Sequence, residues 1–239
     1  MRIKLDLVLD ESWYIHHVKR YIPWIPEQMP HVVIFGVTGS GKSFCGSLLL
    51  GRAALYTPDV ITYLCDFKGD SDFSYLIGSK HFYRFKNCKL GLDEVCEILQ
   101  NRQNGVDNSR NMVIFFFDEW ASYCNSLDKR EADEAKKKLS LLLMLGRSFH
   151  IHVVISQQRV DAAYFNSARD NFSIAIALGN LSEEGKSMIF QEYKPKMKPD
   201  RKRGTGYMLS NGSNFYSIIV PRITNLEKLH SCIKRSVNN

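Results

Sequence analysis

From His31 onward the chain repeats one pattern. A short run that is apolar at nearly every position is followed by a longer stretch whose apolar residues recur at helical spacing. The runs are His31–Phe35, Val60–Phe67, Met112–Phe117, Ile151–Ser156 and Phe172–Leu178, and they are rich in Val, Ile and Phe. Strands covered on both faces look like this, whereas a half-exposed strand alternates. The stretches Ser43–Leu55, Leu92–Arg102 and Arg130–Leu145 read as helices. Strands alternating with helices predict an α/β domain, with a central, mainly parallel sheet flanked by helices. The tail breaks the pattern: Gly206–Ser210 and Phe215–Val220 flank Asn211-Gly212, which predicts a C-terminal hairpin. At the other end Ile3, Leu5, Leu7 and Leu9 alternate with Arg2, Lys4, Asp6 and Val8, the pattern of an edge or half-buried strand. The Pro-punctuated stretch from Tyr21 through Trp24 to Pro30 reads as a connector lying outside the core. Residues 1–30 are therefore expected to be a strand and connector packed on a domain formed by residues 31–239.

Composition narrows this modestly. A chain of 239 residues, 44% apolar and 24% charged, suits one large or two small globular domains and excludes a disordered or collagen-like chain. The longest apolar runs, Met112–Phe117 and Leu141–Leu145, are far too short to cross a bilayer. The charged opening MRIKLDLVLDE is not a secretory signal, so a cytoplasmic protein is expected. The six cysteines show no CxxC spacing and read as reduced core thiols. No HExxH pair exists, and His150 and His152 read as structural strand residues.

Charge adds a second candidate function. Lys and Arg outnumber Asp and Glu by 32 to 25, giving +7. Much of the excess lies in one block, where Lys194, Lys196, Lys198, Arg201, Lys202 and Arg203 face a single acid, Asp200. The block reads either as a site for a polyanion such as nucleic acid or as a solvated loop. With two prolines, Lys194–Gly204 is also the best candidate for a mobile segment.

The sharpest motif is Gly36-Val-Thr-Gly-Ser-Gly-Lys-Ser43, which fits G-x-x-x-x-G-K-[ST] at every fixed position. A predicted strand precedes it and a predicted helix follows it, the context a phosphate-binding loop requires. Glycines at 36, 39 and 41 let the backbone wrap an anion, and the free N–H groups of the helix's first turn point at it. The expected nucleotide cradle is Gly36, Thr38, Gly39, Ser40, Gly41, Lys42, Ser43 and Phe44. Lys42 meets the β- and γ-phosphates, and the Ser43 hydroxyl takes a Mg²⁺ position.

A second motif completes the chemistry. Six apolar residues, Met112–Phe117, place Asp118 at the C-terminal end of a strand, where ligands sit in open α/β sheets. Asp118 is the expected second Mg²⁺ ligand. The adjacent Glu119 is the candidate general base for an attacking water, which favours ATP hydrolysis over transfer to a small metabolite.

These residues lie within a longer likeness. Met29-Pro30-His31 through Ser43, Cys65-Asp66-Phe67-Lys68-Gly69, Phe117-Asp118-Glu119-Trp120, Gly146–His152, Ser156-Gln157-Gln158-Arg159 and Gly204–Leu209 follow one another in order. Together they resemble the FtsK/SpoIIIE DNA translocases of the FtsK/HerA superfamily, over roughly residues 29 to 220. The resemblance implies a RecA-like P-loop NTPase that uses ATP and Mg²⁺ and assembles as a ring, usually a hexamer, around double-stranded DNA. It implies that Gln158 senses the γ-phosphate or positions water. It makes Arg147 a candidate arginine finger donated to a neighbouring subunit, with Arg159 in reserve. Arg147 is also explained as a cation at a helix C-terminus, and Asp66 with Lys68 as a structural ion pair.

The DNA contacts are then expected from Lys194, Lys196, Lys198, Arg201, Lys202 and Arg203, with Lys68 and Lys80 as further contributors. Val160 stands where that family prefers Pro, Trp120 where it has Phe or Tyr, and His150 where it often has Gly. Nothing in the sequence matches the membrane spans or winged-helix reader of its cell-division members, which points toward a motor of a mobile element, plasmid or virus. The rival readings are a genome-packaging or conjugative DNA-transfer ATPase, and a nucleotide-switched DNA tether that does not translocate.

Overall fold

A computed structural model describes residues 3–239; Met1 and Arg2, which opens the N-terminal alternation, lie outside it. In chain order the elements are β1 (Leu5–Asp10), α1 (Glu11–Tyr14), β2 (Tyr21–Trp24), β3 (Val32–Gly36), α2 (Lys42–Tyr56), β4 (Ile61–Asp66) and β5 (Phe82–Arg84). There follow α3 (Cys88–Gln103), β6 (Val113–Asp118), α4 (Trp120–Ser126), α5 (Lys129–Leu145), β7 (Ile151–Gln157) and β8 (Ile174–Leu178). The chain ends in α6 (Glu183–Phe190), β9 (Thr205–Ser210), β10 (Asn214–Ile219) and α7 (Leu226–Asn238).

All ten strands form one sheet in the order β2-β1-β10-β9-β8-β3-β7-β6-β4-β5. The block from β8 to β5 is parallel, and the strands from β9 outward to β2 pair antiparallel. The fold is thus the α/β class the sequence predicts, with the C-terminal hairpin β9–β10 welded to the edge of the parallel block.

The uninterrupted apolar runs follow from two cores. In β6, Ile114 and Phe116 face the core that contains α2 and α7, while Val113, Phe115 and Phe117 face the core that contains α3 and α5. A strand buried on both faces has no solvent position, so no polar alternation survives. Helix ends carry their own signals: Asp128 accepts from the Glu131 N–H to start α5, Ser182 from Gly185 to start α6, and Asn225 from Lys228 to start α7.

The N-terminal stretch departs from expectation. Tyr21–Trp24 is a sheet strand, and Trp24 is fully buried, donating its indole N–H to the Met29 carbonyl at 2.7 Å. A buried indole requires such a partner, so this segment belongs to the core rather than its outside. His152 is a buried strand residue as expected, edge-on to Trp24. His150 instead sits in a left-handed turn before β7. Lys80 is tied to the chain end through the Asn238 side chain and Asn239 carbonyl.

Two buried histidines make a prediction. Burial and the nearby His152 push His31 down to about 3, and burial pushes His152 down to about 4. Each binds fewer protons folded than unfolded below the unfolded value near 6.5, so its stabilising contribution is present above 6.5 and lost as pH falls. Each should cost about 2 kcal/mol between pH 7 and 5. The raised Asp118 acts in the opposite sense over this window, so the comparison must be between proteins that share it. His152→Gln is expected to flatten the acid-side fall of the urea midpoint by about one proton's worth of slope. Superimposable pH profiles for the two proteins would refute the assignment.

Candidate nucleotide site

The site lies at the C-terminal ends of β3, β6 and β7, where the parallel block opens. The loop after β3 turns at Gly36, whose φ is +146°; a Cβ there would lie 2.1 Å from the Leu178 carbonyl oxygen of the neighbouring strand. Only glycine lets the backbone leave the sheet so tightly. The loop then closes on Gly41, with φ +104°, directly ahead of α2. No side chain caps α2, so its first N–H groups remain available to an anion. Gly204 N–H donates to the Ser40 carbonyl at 2.9 Å, which fastens the start of β9 to this loop.

Lys42 is buried, and its ammonium donates to the carbonyls of Gly36 at 2.9 Å and Val37 at 3.3 Å. Burial lowers its pKa, with Glu119 and Asp118 pulling the other way. Across a cavity of about 540 Å³ stand Asp118 and Glu119, and the same cavity is lined by Thr38, Ser43, Lys68 and His230. Burial pushes the Asp118 carboxyl up to about 7, and the neighbouring Glu119 and Asp66 add to the rise. Glu119 follows at φ 61° and ψ 48°, a left-handed conformation that costs a non-glycine residue roughly 1–3 kcal/mol. Its N–H donates to the Ser156 carbonyl at 2.7 Å, and Ser122 donates to its carboxylate at 3.3 Å. The backbone is held, and the carboxylate aimed, by β7 on one side and α4 on the other.

The donor set fits magnesium. A Ser43 hydroxyl and an Asp118 carboxylate are hard oxygen ligands, and Mg²⁺ takes one or two of these with the rest from phosphate and water. Among the described residues no cluster of three or more His, Cys, Asp or Glu side chains is poised to cage a metal.

The other sequence candidates scatter. β7 ends at Gln157, and Gln158 just beyond donates to the Thr38 hydroxyl at 3.4 Å, which places its amide on the phosphate loop. Arg159 is engaged by Asp161 at 3.1 Å and Glu184 at 2.8 Å. Arg147 is exposed but precedes β7, so seven strand residues, roughly 20 Å of extended chain, separate it from the cavity of the same chain. Asp66 pairs with Arg84 at 3.2 Å and Lys68 with Asp70 at 3.0 Å, so the expected Asp66–Lys68 pair is not formed.

The basic block divides. Lys196, Lys198 and Lys202 are exposed, and Lys194 is half-buried, 3.9 Å from Glu183. Arg201 turns inward onto Glu11 at 2.8 Å and the carbonyls of Gly206 and Ile218, so it is a structural cation. Arg203 lines the nucleotide cavity. The segment expected to be mobile is anchored: Gln191–Lys196 forms a helical turn, and the Tyr207 hydroxyl donates to the Lys198 carbonyl at 3.2 Å. Sequence reasoning also misses Leu226 and His230, which α7 brings to the cavity; His230 stacks on Tyr75 with ring centres 3.7 Å apart. The apolar stripe of α7 is the one signal that could have found them.

Comparison with known proteins agrees with this fold. Residues 20–192 match the model of the FtsK/SpoIIIE family. The chain is 28% identical over 239 aligned positions to the FtsK domain-containing protein YdcQ of Bacillus subtilis, covering 92% of this chain and 49% of that one. It therefore spans about half the length of this curated relative. Among solved structures, ATPases 2 and 3 of EssC from Geobacillus thermodenitrificans superpose with a TM-score of 0.75 at 16% identity, covering 98% of this chain and 48% of that one. The pCW3 conjugation coupling protein TcpA, solved with ATPγS, superposes at 0.69 and 18% identity, covering 84% and 62%. At these identities the structural likeness establishes a shared fold. Among the described residues no helix is long and apolar enough to cross a membrane.

Proposed function

The chain belongs to the FtsK/SpoIIIE family, and from that premise we propose that it is an ATP-hydrolysing motor that works as a hexameric ring and moves duplex DNA through a central channel. The observation that carries the reading is the uncapped helix start at Lys42 facing Asp118 and Glu119 across one cavity.

In this reading the loop N–H groups and Lys42 hold the triphosphate, and Glu119 accepts the proton of the attacking water. The water oxygen bonds to the γ-phosphorus as the bond to the β-phosphate oxygen breaks, leaving ADP and phosphate. Mg²⁺ held by Ser43 and Asp118 would neutralise phosphate charge. Gln158, hydrogen-bonded to Thr38, orients the water or reports the γ-phosphate. Arg147 stands at the wrong end of β7 for its own site, which supports a role at a neighbour's, where its charge would stabilise the transferring phosphoryl group.

The DNA part rests on charge. Exposed Lys196, Lys198 and Lys202 can pair with phosphates without reading bases, which suits a motor indifferent to sequence. TcpA is named a conjugation coupling protein, which supports conjugative DNA transfer as the setting. Steady-state ATPase measured with and without long duplex DNA tests the proposal, and several-fold stimulation is expected. Replacing the three lysines with alanine should reduce the slope of log affinity against log salt by about 0.9 for each phosphate no longer neutralised. ATPase indifferent to DNA, together with an unchanged slope, would exclude the motor reading.

A further inference from the structure

Between β1 and β2 the chain makes an excursion that packs into neither core. From Ser12 to Arg20 every residue is exposed. Four large apolar side chains fall within six residues there: Trp13 at 44% exposure, Tyr14 at 42%, Ile15 at 65% and Val18 at 45%. No other six-residue stretch of the described chain exposes four. The segment is nevertheless well formed. The Ile15 N–H donates to the Glu11 carbonyl at 3.1 Å, those of His16 and Val18 to the Trp13 carbonyl at 3.0 and 3.1 Å, and that of His17 to Tyr14 at 2.9 Å. The Asp10 carboxylate takes the Ser12 N–H at 3.0 Å, and a left-handed turn at His17, φ 61°, brings the chain back toward β2. The result is a knob whose backbone is largely bonded to itself and whose side chains are not covered.

Its charge has one sign. The only acid from Glu11 to Arg20 is Glu11 itself, and Arg201 takes its carboxylate at 2.8 Å. Lys19 and Arg20 remain, with the Arg20 guanidinium 5.2 Å from the centre of the Trp13 ring. Lys19 also reaches the wall of a neighbouring cavity lined by Arg52, Arg203 and Arg222 and by no carboxylate.

A partner with an apolar interior and an anionic skin matches both features. Trp and Tyr favour the boundary between hydrocarbon and water, and Lys and Arg lay their stems on apolar surface while the charge stays among the headgroups. Backbone groups entering that boundary need partners of their own, which the knob supplies. Duplex DNA offers phosphates to Lys19 and Arg20 but nothing to cover Ile15 and Val18. A second copy docked knob to knob would bring like charges together.

We propose that the Ser12–Arg20 knob is a membrane-surface anchor. Trp13, Ile15 and Val18 enter the headgroup boundary of a bilayer rich in anionic phospholipid, and Lys19 and Arg20 pair with lipid phosphates. The knob lies on the bilayer and does not span it. This gives the β1–β2 hairpin a function beyond extending the sheet, and it does not depend on the nucleotide chemistry.

The chain carries its own probe. Of three tryptophans, Trp24 and Trp120 are fully buried, so emission quenched by brominated acyl chains reports Trp13. The full chain should float with vesicles of phosphatidylcholine mixed with phosphatidylglycerol, less with phosphatidylcholine alone, and its emission should be quenched by the brominated form of the mixture. The double substitution Ile15→Asp, Val18→Asp, at exposed positions outside both cores, should weaken vesicle binding about tenfold or more and abolish the quenching. Lys19→Gln with Arg20→Gln should remove the preference for anionic lipid. Wild-type protein that ignores both vesicles, emission untouched by brominated lipid, or aspartate and glutamine variants that bind as wild type does would each overturn the proposal. Loss of duplex DNA affinity or a changed sedimentation coefficient in the aspartate variant, with vesicles ignored by wild type, would make the knob a nucleic-acid or chain-to-chain surface instead.

Discussion

Glu119→Gln is expected to lower ATP turnover by about 10²–10⁴-fold while leaving Mg-ATP binding within a few-fold of wild type. The amide keeps the size of the carboxylate and one acceptor oxygen for Ser122 but cannot take a proton from water. The placement explains why this position suits a base. Glu119 sits at φ 61° with its N–H held by β7 and its carboxylate met by Ser122, so its direction is set by the surrounding structure. Strain of this kind persists where surrounding structure over-determines it. Rapid-quench measurement of a single turnover checks the claim. A variant that cleaves ATP at the wild-type rate would assign the base elsewhere.

Lys42→Ala should cut affinity for Mg-ATP by about a hundredfold, because the side chain is a buried cation on the Gly36–Ser43 loop and charge-assisted bonds to phosphate are the strong ones. Its present partners are two loop carbonyls, Gly36 and Val37, at 2.9 and 3.3 Å. Those bonds hold the ammonium over the loop. Lys42→Arg tests the geometry as distinct from the charge. A planar guanidinium on a longer stem cannot place its charge where the ammonium sits, so binding should stay weak. Equal affinities for wild type and Lys42→Ala would show that the loop does not bind phosphate.

How far the sequence exposed this site depends on how local each feature is. Gly36–Ser43 is legible because the backbone geometry itself demands glycines at fixed positions. Asp118 is legible because six apolar residues measure the strand that delivers it. Both facts are one-dimensional. The left-handed turn at Glu119 is not, since no propensity announces it and the tertiary packing of β7 against α4 imposes it. Trp24 misled because prolines flank it; proline tolerates an edge strand, and burial of the indole decided the outcome. Arg201 and Arg203 are two residues apart and look alike in a charge count. One turns onto Glu11 and the other onto the nucleotide cavity, a distinction that exists only once β9 is fastened to Ser40. Lys68 likewise pairs with Asp70 rather than Asp66, because Arg84 from β5, a strand too short to read in advance, claims the buried carboxylate.

Every functional step above requires that a triphosphate seat on the first turn of α2. Titration of Mg-ATPγS into the purified protein, followed by heat, measures this directly. Saturable binding of one nucleotide per chain is predicted, weakened by Lys42→Ala and retained by Glu119→Gln. Absence of saturable heat up to millimolar nucleotide, from protein shown to be folded, would contradict it.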